Sequence, residues 1–315
     1  MTQHSLAFVF PGQGSQAVGM LAELAAAEPL VRQTFDEASA GAGTDLWTLS
    51  QDGPEADLNR TENTQPALLA ASIAVWRVWQ ARGGALPALL AGHSLGEYSA
   101  LVAAGALSLH DAAGLVAERG RLMQAAVPPG VGAMAAILGG DDAQIAQACA
   151  EVAGDEVVAP ANYNSPGQLV IAGHAAAVDR ALARLAELGI KKTVKLAVSV
   201  PSHTALMTEA AQRLAERMDT IAWSLPRIAV IQNADARTFD AIADIRAALQ
   251  RQLYQPVRWT ECVQALVAGG AQRACECGPG KVLAGLIKRI DKSLQTTAIG
   301  TPAELEQALA AGHAA

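Results

Sequence analysis

The sequence predicts an α/β protein whose parallel-sheet core is interrupted by a ferredoxin-like insertion. Three observations carry this. Short apolar runs closed by Gly or Pro alternate with helical patterns. A β-α-β-β-α-β order fills residues 128–199. A Gly-x-Ser-x-Gly turn stands between an apolar strand and a helix.

The chain opens with Leu6-Ala7-Phe8-Val9-Phe10, closed by Pro11-Gly12. An unbroken apolar run of this length suits a strand buried on both faces of a parallel sheet. Ala88-Leu89-Leu90-Ala91, closed by Gly92, is a second such strand. Helical patterns lie between them, among them Ala67–Gln80. The texture changes at Val127-Pro128-Pro129-Gly130. From there the order is strand 132–138, helix 141–152, strand 157–162, strand 168–172, helix 175–188 and strand 191–198. The ends of such a unit lie close together, as an insertion requires. Residues 1–127 and 200–315 are therefore expected to form the core, and 128–199 the inserted subdomain. The core resumes with helix 203–218, strand 228–231, helices 242–253 and 260–268, strand 271–277, helix 282–290 and a last helix near 302–310.

Composition narrows the function. The chain has 315 residues, of which 51% are hydrophobic, enough for a sizeable core. The formal charge of −7 argues against nucleic acid as a partner, because neutralising phosphates needs a basic surface. No uncharged apolar run reaches the ~18 residues of a membrane span. The N-terminus lacks the charged start and long apolar stretch of a signal peptide, so a cytoplasmic protein with no membrane partner is expected. The four cysteines, Cys149, Cys262, Cys275 and Cys277, do not have zinc-site spacing and read as buried free thiols. No metal is expected.

Gly92-His93-Ser94-Leu95-Gly96 carries the chemistry. Glycines on either side keep a tight strand-to-helix turn free of side-chain clashes and leave the Ser94 hydroxyl exposed. The next helix turns its N-terminal amides towards a developing oxyanion. A serine needs a base. His4 and His313 lie near the termini, and His93 should point away from its neighbour. His110 reads as a surface residue at a helix start, and His174 as a loop end. His203, in Val200-Pro201-Ser202-His203, remains. It follows the nucleophile, as the base does in the α/β-hydrolase chain order.

Several ordered motifs carry a resemblance over nearly the whole chain. They are Phe10-Pro11-Gly12-Gln13-Gly14-Ser15-Gln16, Gly92-His93-Ser94-Leu95-Gly96-Glu97, Arg119-Gly120, residues 162–168 (Asn-Tyr-Asn-Ser-Pro-Gly-Gln), Pro201-Ser202-His203 and residues 278–283 (Gly-Pro-Gly-Lys-Val-Leu). Together they resemble the malonyl-CoA:acyl carrier protein transacylases of bacterial type II fatty acid synthesis. The resemblance implies an α/β-hydrolase-like core and assigns roles. Ser94 would carry the malonyl ester and His203 would act as base, then acid. Arg119 would bind the malonyl carboxylate. The backbone amides of Gln13 and Leu95 would form the oxyanion hole. Gln252 would orient His203 through its backbone carbonyl, in place of a triad acid. By themselves Arg119 and Gln252 read as ordinary surface residues of helices, and an acidic third member is left open. Arginine does offer a permanent planar fork for a carboxylate.

The donor implied is malonyl-CoA and the acceptor holo acyl carrier protein, with no cofactor and a monomer as the default state. An acidic carrier would need a local basic patch on this acidic chain. Lys191, Lys192 and Lys195, or Lys281, Lys288 and Arg289, are candidates. Three rivals stand. A thioesterase or esterase would use Ser94 and His203 with water. A malonyl transferase of a malonate decarboxylase or polyketide synthase would differ only in its carrier. An inactive homologue would merely dock carriers.

Overall fold

The computed structural model describes residues 2–198 and 200–313, with side chains from Ser5 to Ala311. Its nine strands are β1 (Thr2–Phe10), β2 (Leu86–Gly92), β3 (Gly132–Leu138), β4 (Val158–Ser165), β5 (Gln168–His174), β6 (Lys192–Lys195), β7 (Ala229–Ile231), β8 (Arg273–Glu276) and β9 (Gln295–Ala298). Five form one sheet in the order β7-β2-β1-β8-β9, every pair parallel. The other four form an antiparallel sheet in the order β4-β5-β3-β6. The fold is mixed α/β, with a parallel core and a small antiparallel sheet.

Alternation along β1 explains its place at the centre. Leu6, Phe8 and Phe10 enter one apolar cluster, while Ala7 and Val9 enter another on the opposite face. Phe8 meets Trp76 and Trp79 edge-on, with ring centroids 5.2 Å apart in both pairs. Both tryptophans lie on the helix Thr61–Ala81, which packs against Pro29–Ala42 and Leu109–Ala125 and is buried almost all round. The antiparallel sheet has its own core on one face, from Ala135, Ile137, Leu169 and Ile171 against Ile145, Val178 and Leu185. Its other face presents Met134, Ala161, Val170 and Ala172.

The observed elements depart from expectation at several points. The helix expected from Ala67 starts at Thr61. Its first turns are polar, yet Thr64 is buried because its Oγ1 donates to Leu58 O at 2.6 Å. Strand β6 stops at Lys195. Leu196 and Val198 leave the sheet and line a cavity, while Ser199 lies outside the described residues. The helix expected from His203 starts instead at Thr208, after a 3-10 turn at Ala205–Met207. His203 sits before both, in left-handed backbone at φ 63°. Strand β9 was not expected; it is a polar edge strand with no apolar run to announce it. Four helices between Ala22 and Leu58 complete the segment before Thr61. All four cysteines are buried free thiols. Among the described residues no helix is long and apolar enough to cross a membrane.

Candidate active site

The C-terminal ends of β1, β2 and β7 converge, which is where open parallel sheets bind ligands. The loops leaving β1 and β2 bring Gln13 and Ser94 to one cavity of about 130 Å³, and the loop after β7 places Asn233 behind Ser94. The volume is well below that of drug-sized pockets and suits a short acyl group. Met134, Asn162, Leu196 and Val198 wall it from the side of the antiparallel sheet. A larger cavity of about 380 Å³ lies at the opposite strand ends, near Leu86 and Ala229, and holds none of these groups.

Ser94 sits at φ 52° on a turn whose backbone is tightly packed. A Cβ at Gly92 would lie 1.9 Å from Gly96 C and O, and one at Gly96 would lie 2.1 Å from Phe10 O. Neither clash involves a movable side chain, so the turn accepts only glycine at both places. Gly96→Ala should cost about 3 kcal/mol or more of stability. Chemical denaturation would show it as a lower midpoint with an unchanged slope. A loss under about 1 kcal/mol would mean that the turn gives way more easily than its geometry indicates.

Ser94 Oγ lies 2.9 Å from His203 Nε2, and His203 Nδ1 lies 2.6 Å from Gln252 O. A carbonyl only accepts, so Nδ1 carries the proton and Nε2 is free to accept from Ser94. The His203 N–H donates to Leu253 O at 2.9 Å. Both carbonyls belong to the last turn of the helix Ile242–Tyr254, where they have no partner within the helix. The negative end of that helix favours an imidazolium and stands in for part of the missing acid. Burial first, then the charge of Arg119, pushes His203 down to about 3, against the bond it donates to the Gln252 carbonyl. The imidazole is therefore neutral at physiological pH, as a base must be.

Arg119, on the helix Leu109–Ala125, is 1% exposed. It is no surface residue, contrary to what its sequence context alone suggests. Its Nη1 donates to Gln65 Oε1 at 2.7 Å, and its Nη2 donates to Gln252 Oε1 at 2.9 Å and to Ser94 Oγ at 3.2 Å. Nε has no partner. The guanidinium lies 5.5 Å from the Tyr98 ring centre. A buried cation held by neutral amides is ready for an anion of the ligand.

Gln13 and Leu95 both border the cavity, and neither backbone N–H has a partner within the protein among the described residues. Gln252 is fully buried rather than on the surface. Its Nε2 donates to Ser94 O at 2.9 Å and to Glu97 Oε2 at 3.0 Å. His93 Nε2 is 2.8 Å from Asn164 Oδ1, and His110 is exposed at its helix start. His174 ends β5, where its Nδ1 accepts the Val157 N–H. His4 and His313 fall outside the described side chains.

Sequence reasoning missed three residues here: Gln65, Asn233 and Glu97. Asn233 Oδ1 accepts the Ser94 N–H at 2.7 Å, and its Nδ2 donates to Gly92 O at 2.7 Å. Glu97 Oε2 accepts the Asn233 N–H at 2.8 Å. The available signal was one acid in an otherwise uncharged helix, Gly96–Ala103. Gln65 and Asn233 gave none.

Comparison with known proteins places the chain in a family. The acyl transferase domain family matches residues 7–305. A malonyl CoA-acyl carrier protein transacylase of Salmonella typhimurium is 57% identical over 309 residues, covering 98% of this chain and 99% of that one. The crystal structure of a malonyl-CoA:acyl carrier protein transacylase from Xanthomonas oryzae superposes with a TM-score of 0.98 at 66% identity, covering 99% of each chain. A malonyl-transacylase solved in complex with its type II polyketide acyl carrier protein superposes at 0.96 with 53% identity, covering 98% of this chain and 99% of that one. This chain belongs to the acyl transferase family, in its group of malonyl-CoA:acyl carrier protein transacylases.

Proposed function

We propose that the chain moves a malonyl group from malonyl-CoA, through an ester on Ser94, to the phosphopantetheine thiol of holo acyl carrier protein in fatty acid biosynthesis. The observation that carries it is Ser94 Oγ standing 2.9 Å from His203 Nε2 and 3.2 Å from Arg119 Nη2. A base touches the hydroxyl on one side, and a fixed cation lies within one short acyl length on the other. A short acyl group bearing a carboxylate fits that pair.

The donor's carboxylate binds Arg119. Ser94 Oγ attacks the thioester carbon while His203 Nε2 takes the hydroxyl proton. The amides of Gln13 and Leu95 hold the oxyanion. Collapse breaks the C–S bond, and coenzyme A leaves with the proton from His203. In the second half the carrier thiol gives its proton to His203 and its sulfur attacks the ester. The C–Oγ bond breaks and Ser94 recovers the proton. Gln252 holds the imidazole by its carbonyl. These steps need no cofactor beyond the donor itself.

In this reading residues 1–127 and 200–315 form the catalytic core, 128–199 the inserted subdomain, and the enzyme works as a cytoplasmic monomer. The carrier docks on exposed basic side chains. Lys191, Lys192, Lys281 and Lys288 are exposed and have no ion pair among the described residues. Lys195 is instead engaged by Asp179, and Arg289 donates to Gln168 Oε1 at 2.8 Å.

Intact mass measurement after brief mixing tests the reading. Malonyl-CoA should add one malonyl group, and holo carrier should then remove it and gain it. Decay of the adduct to free malonate without carrier would make the chain a thioesterase. Absence of any adduct would leave only a docking role. The polyketide likeness makes one further comparison worthwhile, between fatty acid and polyketide carriers as acceptors.

A further inference from the structure

Glu97 takes no part in the transfer steps above, yet it sits among the groups that do. It is wholly buried on the helix that follows Ser94. A buried carboxylate is costly unless hydrogen-bonded. Oε1 has no partner, and Oε2 has two: the Asn233 N–H at 2.8 Å and Gln252 Nε2 at 3.0 Å. Each of these partners makes further bonds to the site. Asn233 Oδ1 takes the Ser94 N–H, and Gln252 Nε2 also reaches Ser94 O. Gln252 further meets His203 Nδ1 by its carbonyl and Arg119 Nη2 by Oε1. One carboxylate oxygen thus joins the two residues that touch nucleophile, base and cation.

We infer that Glu97 is a positioning residue, clamping Asn233 to Gln252 and so aligning Ser94, His203 and Arg119. The inference rests on the transferase reading of this site.

Charge strengthens the clamp, because an ionised acceptor binds N–H donors more strongly than a neutral one. Burial pushes the Glu97 carboxyl up to about 7, opposed by Gln252, Asn233 and Arg119 and reinforced by Asp235. The charged and titratable groups around it are few. Arg119 faces it from its own helix. Asp235 follows β7 and is paired with Arg251 at 2.6 Å. Cys262, on the helix Trp259–Ala268, is held as a neutral thiol by burial and by Glu97 itself. Tyr98, its neighbour, is pushed up to about 12 by burial. Among the groups touching the Ser94–Gln252 network, Glu97 is the one that changes charge near neutrality.

The test is Ser94 acylation by p-nitrophenyl acetate, read by intact mass, in the full chain and in Glu97→Gln and Glu97→Ala. This ester has no carboxylate for Arg119 and needs no carrier. Glu97→Gln keeps an acceptor but no charge. It should match the unaltered protein within about threefold near pH 6 and fall about tenfold behind near pH 8. Glu97→Ala should be slower than Glu97→Gln at both pH values. A ratio of unaltered protein to Glu97→Gln that stays flat across this range overturns the inference. So does an alanine variant that acylates at the unaltered rate. If the alanine variant does not fold, the glutamine comparison decides alone. Failure of the transferase reading looks different: normal acetylation of Ser94 with no malonyl adduct.

Discussion

Ser94→Ala should form no malonyl adduct and should lose about 10⁵-fold or more in transfer rate. His203→Ala should lose nearly as much, and the double variant little beyond either. Residues that act as one unit do not contribute additively. Here the unit is defined by geometry: Oγ to Nε2 at 2.9 Å and Nδ1 to the Gln252 carbonyl at 2.6 Å. Without the hydroxyl no ester forms. Without the imidazole the hydroxyl keeps its proton, since no other base touches it. The rate that survives comes from the amides of Gln13 and Leu95, which still meet the oxyanion. Both reacting residues also hold left-handed backbone, at φ 52° and 63°. Non-glycine residues persist there only when their surroundings enforce it. Asn233 enforces it at Ser94, and the end of the helix Ile242–Tyr254 at His203. Rapid-mix mass measurement with both variants checks the pair. An adduct on Ser94→Ala would move the nucleophile elsewhere. A loss under about tenfold in His203→Ala would remove it as the base.

The parts of this architecture legible in the sequence are those that apolar pattern dictates. β1 and β2 are buried on both faces, so their runs stand out. Residues 132–195 alternate strand and helix at ordinary lengths, and their βαββαβ order gives the antiparallel sheet directly. Polar burial is not legible in the same way. Thr64 and Gln65 are buried by hydrogen bonds, so no apolar stripe marks the first turns of their helix. The edge strand β9 has one polar face and little apolar content. At the site, Ser94 announces itself because its turn constrains neighbouring residue types. His203 came from elimination, but its left-handed turn could not be read, because nothing local marks it. Gln252 acts towards His203 through a carbonyl that every residue possesses, and only family resemblance singled it out. Asn233 and Glu97 act through contacts more than 130 residues apart in sequence, which no local pattern records.

Arg119→Ala should lower malonyl transfer on the order of 10²-fold while leaving acetyl transfer within about threefold, because breaking one side of a buried charge pair costs several kcal/mol. The asymmetry follows from what Arg119 touches. In the free enzyme its partners are the neutral oxygens of Gln65, Gln252 and Ser94, and Nε has none. Burial weighs against the cation and lowers its pKa from the usual arginine value, opposed by Tyr98 and Glu97. A malonyl carboxylate supplies an anion in direct contact with the guanidinium, which its present neutral partners do not. An acetyl methyl leaves the cation unmatched in a cavity of about 130 Å³. Removing the guanidinium therefore takes an attraction from malonyl and a penalty from acetyl. Arg119→Lys would not preserve the effect. One ammonium cannot span Gln65 and Gln252 while presenting a fork to the ligand. The measurement is kcat/KM for both donors with the same carrier, in the unaltered protein and both variants. Equal losses for the two donors would assign Arg119 to holding Gln252 and Ser94 in place, and discrimination would then have to come from the cavity's size alone.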